Sequence, residues 1–194
     1  VSKDSEHGTV LVQIQYDTEV QRFDIVEKDG ILKISETGSA RKIQGVSDSA
    51  KIVVQIADSA KIGSVQISTG VGDISMNTED TFSSGSFFAE TGTGDVTFRN
   101  LTCTGDAQMQ SGVGDLDVEG TFQGNVTMKS GTGDLKLDVT GNQDDFSYDL
   151  TSGVGDIVMN HAEVGGESVS GSYKVKNQGA AQKIEMNAGV GDIN

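Results

Sequence analysis

The sequence predicts an all-β solenoid built from units of about 20 residues. Three observations predict it. The hexapeptide TGVGDI at 69–74 returns as TGTGDV at 91–96, SGVGDL at 111–116, SGTGDL at 130–135, SGVGDI at 152–157 and AGVGDI at 188–193. The residues flanking each copy alternate between apolar and polar, which is the period of a strand with one buried face. Composition agrees: hydrophobic content is 35%, with seven Phe, three Tyr and no Trp, against 26 Gly and no Pro. Such a chain makes many tight turns around a narrow interior of small and medium side chains.

Aligning the copies brings their flanks into line. Two residues before the leading Ser, Thr or Ala stand Ile67, Ala89, Met109, Met128, Leu150 and Met186; four before stand Val65, Phe87, Ala107, Val126, Tyr148 and Ile184. Six before, the first four copies have Gly63, Gly85, Gly105 and Gly124. After the aspartate come Ile74, Val96, Leu116, Leu135, Ile157 and Ile193. In the first copy Val65, Ile67, Thr69 and Val71 fall on one face, and the next inward residue is Ile74, so the phase slips across Gly72-Asp73. A slip of this kind marks a bend where glycine supplies backbone freedom. Asp73, Asp95, Asp115, Asp134 and Asp156 are 22, 20, 19 and 22 residues apart, and Asp192 follows after 36. A unit this short cannot bury its own apolar face, so equivalent strands are expected to pair in parallel and form ladders of like residues.

The remaining segments follow in order. Residues 1–62 lack the motif but read as strands: "GTVLVQIQY" and "QRFDIVE" alternate, "EKDGILKIS" is a hairpin-like turn between strands, and "DSAKI" occurs at 48–52 and 58–62. They are expected to be early, less regular rungs and a cap. Residues 63–160 carry the regular rungs, 161–181 read as an irregular segment or loop, and 182–194 as the last rung, all within a single solenoid domain 1–194. Because "GVGDIN" stops just after a corner, the last rung is expected either to pair end to end in a homodimer or to borrow a cap from 161–179.

Net charge is −15. This opposes nucleic acid, whose phosphates need a basic footprint, and equally opposes docking on anionic lipid. Cys103 is the only cysteine, so neither an intrachain disulfide nor a cysteine-based zinc site can form. No segment reaches transmembrane-helix length. The polar start "VSKDSEHG" reads as a processed or trimmed beginning, with any membrane anchor outside this chain.

"IVVQIADSAKIGSVQISTGVGDISMN" resembles a signature stretch of the bacterial DUF4097 family, whose members are labelled adhesins and also called toastrack domains. "DGILKI" resembles the family's early hairpin, and repeated SG-x-GD rungs are typical of it; the likeness runs from about Val10 to the end. Where "QIAD" stands here, family members often carry proline. The resemblance implies a single-stranded right-handed parallel β-helix, exported or facing outward from the bacterial membrane. It implies no catalytic residue.

The aspartates admit three chemistries. An Asp at a tight bend accepts backbone N–H hydrogen bonds and holds the turn. Stacked carboxylates one rung apart could instead bridge Ca²⁺, although neither the nine-residue calcium-roll repeat nor an EF-hand spacing is present. Paired carboxylates could serve glycoside hydrolysis, but periodic aspartates argue for geometry. The nearest unlike groups, Arg99, His161 and Lys174, are scattered over different units. His7 and His161 read as surface residues and Cys103 as a small core residue. The GxG strings lack the Lys and the helix of a phosphate loop. Thr69, Thr91, Ser111, Ser130 and Ser152 are expected to form an inward hydroxyl ladder, which Ala188 breaks. No catalytic, cofactor or metal residue is assigned, and no cofactor.

The reading is therefore a non-enzymatic extracytoplasmic module, adhesin-like or envelope-sensing, secreted or on the bacterial cell surface, with a cell-envelope protein or polysaccharide as partner. The alternatives are a calcium- or glycan-binding module using the aspartate ladder and, third, a polysaccharide-degrading β-helix enzyme.

Overall fold

The computed structural model describes residues 2–4, 10–15, 21–39, 50–57, 62–76, 81–161, 165–177 and 179–194. His7, the first two residues of the "DSAKI" string at 48–52 and the first four of that at 58–62 lie outside them. The chain forms two compact units, Val1–Ala60 and Lys61–Asn194.

The first unit holds β1 (Ser2–Asp4), β2 (Val10–Gln15), β3 (Gln21–Lys28), β4 (Ile31–Ser39) and β5 (Lys51–Ile56). β1, β2 and β5 form one antiparallel sheet, and β3 pairs antiparallel with β4. The expected hairpin is present. Asp29 and Gly30 turn it with φ of +54° and +76°, the left-handed pair that matches strand twist. The expectation of early solenoid rungs is corrected. A rung must circle the axis before it meets its neighbour in parallel, and this segment has no GxGD corner to carry it round. Its two-residue turn folds β4 straight back along β3 instead.

The second unit is the solenoid. Its strands are β6 (Ile62–Val71), β7 (Ile74–Met76), β8 (Phe82–Thr93), β9 (Val96–Cys103), β10 (Ala107–Val113), β11 (Leu116–Phe122), β12 (Val126–Thr132), β13 (Leu135–Val139), β14 (Phe146–His161), β15 (Gly165–Val175) and β16 (Gln182–Val190). The strands before the corners stack in parallel as β6, β8, β10, β12, β16, β14. Beyond the corners β7, β9, β11 and β13 stack likewise, and Ile193 bridges Leu135 to Ile157.

The rungs therefore do not stack in chain order, for the sixth copy lies between the fourth and the fifth. It is not an open end. β15, from the segment read as irregular, pairs antiparallel along β14. Connection lengths permit this order without fixing it, since the five residues between β7 and β8 climb only one rung. Three residues join β9 to β10 and three join β11 to β12, each a climb of one rung. Six join β13 to β14, enough to climb two and leave a place that β16 fills.

Like residues form the predicted columns. Val96, Leu116, Leu135, Ile193 and Ile157 are buried in one; Ala89, Met109, Met128, Met186 and Leu150 in another. Each large aliphatic member contributes about 1.5–3 kcal/mol by leaving water. The Phe87 and Phe98 rings meet edge to face at 4.8 Å. The 20- and 19-residue spacings around Asp115 are reconciled by a bulge. The β9–β11 register shifts between Val118 and Gly120, and the extra residue in β9 is absorbed at Asn100, whose φ is +57°.

Candidate functional site: the GxGD corner ladder

Each hexapeptide is a corner of the solenoid. In the second copy Thr91 is buried, Gly92, Thr93 and Asp95 are exposed, and Val96 is buried again. Alternation placed Val71 inside, yet it is 81% exposed, and Val113, Val154 and Val190 are exposed as well. The bend begins at the first glycine, one residue earlier than the apolar pattern suggests.

Both glycines are required. A Cβ on Gly112, Gly131 or Gly153 would lie 2.5 Å from the carbonyl oxygen of the first glycine in the adjacent rung. The second glycine takes φ between +134° and +146° in every copy, a region that side chains avoid.

The aspartates form one continuous chain of hydrogen bonds. The backbone N–H of Asp95 donates to Asp73 Oδ1 at 3.0 Å and that of Asp115 to Asp95 Oδ1 at 2.9 Å. Asp134 then donates to Asp115, Asp192 to Asp134, and Asp156 to Asp192, each at 2.8 Å. One carboxylate oxygen of each of the first five members is thus committed to the next rung. Exposed carboxylates a rung apart repel by roughly 1 kcal/mol or less in water, and a charge-assisted N–H bond of about 1.5–3 kcal/mol offsets this. Among the described residues no group of three or more His, Cys, Asp and Glu could hold a metal ion.

Behind the aspartates runs the hydroxyl ladder. Thr91 donates to Gly72 O at 2.9 Å, Ser111 to Gly94 O at 3.0 Å, Ser130 to Gly114 O at 2.9 Å and Ser152 to Gly191 O at 2.8 Å. Thr69 bonds within its own corner, to Val71 O at 3.1 Å. Ala188 offers no donor.

A second seam escaped the sequence reading. Asn125 N–H donates to Asp106 Oδ1 at 2.9 Å, and Lys183 N–H donates to Asn125 Oδ1 at 2.9 Å. Its signal was available, because Gly105-Asp106 and Gly124-Asn125 pair an Asx residue with the aligned glycine. Asp106, Gln108, Asn125, Thr127, Lys183 and Glu185 line a shallow polar groove beside this seam.

The unlike residues are not brought together. Arg99 donates to Asp117 Oδ1 at 3.0 Å, also pairs with Asp117 Oδ2, and reaches Glu119 at 3.8 Å. Its hydrogen bond raises the Arg99 pKa and holds the Asp117 carboxyl below the usual carboxylate range. Lys174, in β15, pairs with Asp149 at 3.0 Å, and Lys183 pairs with Asp149 at 3.0 Å and with Glu185 at 3.1 Å. Those lysines lower the Asp149 pKa, and Lys183 lowers that of Glu185. His161 ends β14. Cys103 is buried, and burial pushes its thiol pKa up, so it is a core residue and a poor nucleophile. No set of nucleophile and base is assembled from these residues.

The DUF4097 toastrack family model matches residues 2–194. The chain belongs to the DUF4097 toastrack family. Among solved structures, the crystal structure of a "putative cell adhesion protein" from Clostridium sporogenes is similar at 18% identity, covering 98% of this chain and 83% of that one with a TM-score of 0.48. No curated protein matches. For this toastrack chain the GxGD repeat is the rung corner of the solenoid.

Proposed function

We propose that this toastrack protein is a non-enzymatic extracytoplasmic module of the bacterial envelope that presents fixed columns of side chains to a polysaccharide or protein. The observation that carries the reading is the outward surface. Rung-to-rung bonds through Asp73–Asp156 and through Asp106, Asn125 and Lys183 hold outward side chains at one strand spacing, about 4.8 Å. A rigid, regular array binds an extended repeating partner with little ordering cost. The groove at Asp106, Gln108, Asn125, Thr127, Lys183 and Glu185 offers the amide, hydroxyl and charged groups that hydrogen-bond a hydroxyl-rich chain, so the reading favours polysaccharide. Membership of a family labelled adhesins and the described role of the Clostridium sporogenes protein agree with it.

The test is an array of envelope polysaccharides probed with the purified protein. Saturable retention of a defined glycan, weakened at least fivefold by Gln108→Ala with Thr127→Ala and with no release of reducing ends, supports the reading. Release of reducing ends contradicts the non-enzymatic part. Failure of membrane-impermeant biotin to label the protein on intact cells contradicts the location.

A further inference from the structure

The rung order points to an interaction between copies of this chain. We infer that β16 is an exchangeable strand, donated by one copy into the slot between β12 and β14 of a second copy.

Four observations carry this. The first is that β16 is the rung inserted out of chain order. Because β12 and β14 precede it, its place is two-sided. Along β12 the register runs from Val126↔Ile184 to Thr132↔Val190, and along β14 from Phe146↔Gln182 to Val154↔Val190. A strand entering such a slot gains main-chain bonds on both edges, the condition under which one chain completes another by strand donation. Second, the slot recognises its occupant by side chain. Ile184, Met186, Ala188 and Ile193 are buried between the columns of the fourth and fifth rungs, and the Asp192 N–H and carboxylate join Asp134 to Asp156. All of these contacts are the same whichever copy supplies the strand, which makes exchange of an identical element a low-cost route to a dimer.

Third, the chain between Val175 and Gln182 is six residues long. Extended, it reaches roughly 20 Å, and it includes Gly179 at φ +97°. It joins strands lying on opposite sides of β14, so it already carries β16 past a full rung. Fourth, β14 and its antiparallel partner β15 precede β16 in the chain. Both edges that border the slot therefore lie earlier in the chain than its occupant, and another copy's β16 competes with the tethered one when protein concentration approaches the effective concentration set by the short connection. Reciprocal exchange closes a two-fold dimer.

Lys129 and Asn187 are in-register neighbours on β12 and β16 and both are exposed. Adjacent strands hold such Cα atoms within disulfide reach, whereas positions two rungs apart, about 9.6 Å, are beyond it. All variants carry Cys103→Ala. Lys129→Cys and Asn187→Cys chains are mixed, co-refolded at high concentration and oxidised. The expected product is a disulfide-linked dimer containing one chain of each kind, at least tenfold above the level given by either variant alone. The doubly substituted chain, Lys129→Cys with Asn187→Cys, shows that the two sites can bond when β16 is seated. If it cross-links only within one chain while the mixture yields no mixed dimer, exchange is overturned. Exchange is equally overturned if Lys129→Cys with Thr151→Cys cross-links, because β14 would then close onto β12 and leave no slot.

Discussion

Individual side chains in this protein act mostly through the backbone of the next rung. Ala188 is the clearest case, since its neighbours Ser130 and Ser152 each donate to a glycine carbonyl and it cannot. Ala188→Ser should stabilise the fold by about 0.5–1.5 kcal/mol, read as a higher urea midpoint at unchanged slope. The second corner glycine behaves oppositely. Gly114→Ala would put a side chain at φ +146° and drive its Cβ into Gly94 O. The expected loss is about 2–4 kcal/mol, and a loss below 1 kcal/mol in the same assay would show that the corner relaxes. The aspartates should respond to shape more than to charge. Asp115→Asn keeps an oxygen for the Asp134 N–H and should stay within about 0.5 kcal/mol of the parent, whereas Asp115→Ala should lose about 1 kcal/mol or more.

Strands explain what the sequence disclosed and what it concealed. Each rung's inward columns were legible because strand period is fixed at two and the glycine corners restart it. The true position of Val71 was not, because alternation cannot tell which of two glycines begins the bend. The order of the fifth and sixth rungs was hidden as well. Both carry the same hexapeptide, so a pairing rule based on like residues accepts either on β12. Spacing does not disclose it either, because Asp73 to Asp95 climbs one rung and Asp134 to Asp156 climbs two over the same 22 residues. The outward faces are tied by ion pairs, and their pH dependence follows from sign. The Asp117, Asp149 and Glu185 pKa values are lowered by Arg99, by Lys174 and Lys183, and by Lys183. Their contribution is present above the ordinary carboxylate range near pH 4 and is lost as pH falls through the lower folded values. On the alkaline side Lys183 is raised by Asp149 and Glu185, and burial pushes Tyr148 up to about 12. Their stabilisation is complete below about pH 10 and fades above it. Urea midpoints should therefore be flat from pH 6 to 9 and fall on both sides; a midpoint that rises toward pH 3 would contradict the ion-pair assignments.

Taken together, the solenoid unit is a regular stack of rungs whose corners are bonded to one another and whose outward columns are cross-tied by ion pairs. The polar groove was less legible than the corner, because its residues come from three rungs and converge only once the sixth rung sits beside the fourth. The corner ladder looks like an ion site on paper, and its geometry argues for a hydrogen-bonded seam. Thermal unfolding with excess calcium and again with EDTA decides between them. A calcium site held at a hundred times its dissociation constant would add about 2.7 kcal/mol and raise the midpoint by roughly 5–10 °C for a chain of this size. The seam predicts coincident midpoints within about 1 °C. A calcium-dependent rise of 5 °C or more, abolished by Asp115→Asn with Asp134→Asn, would contradict it.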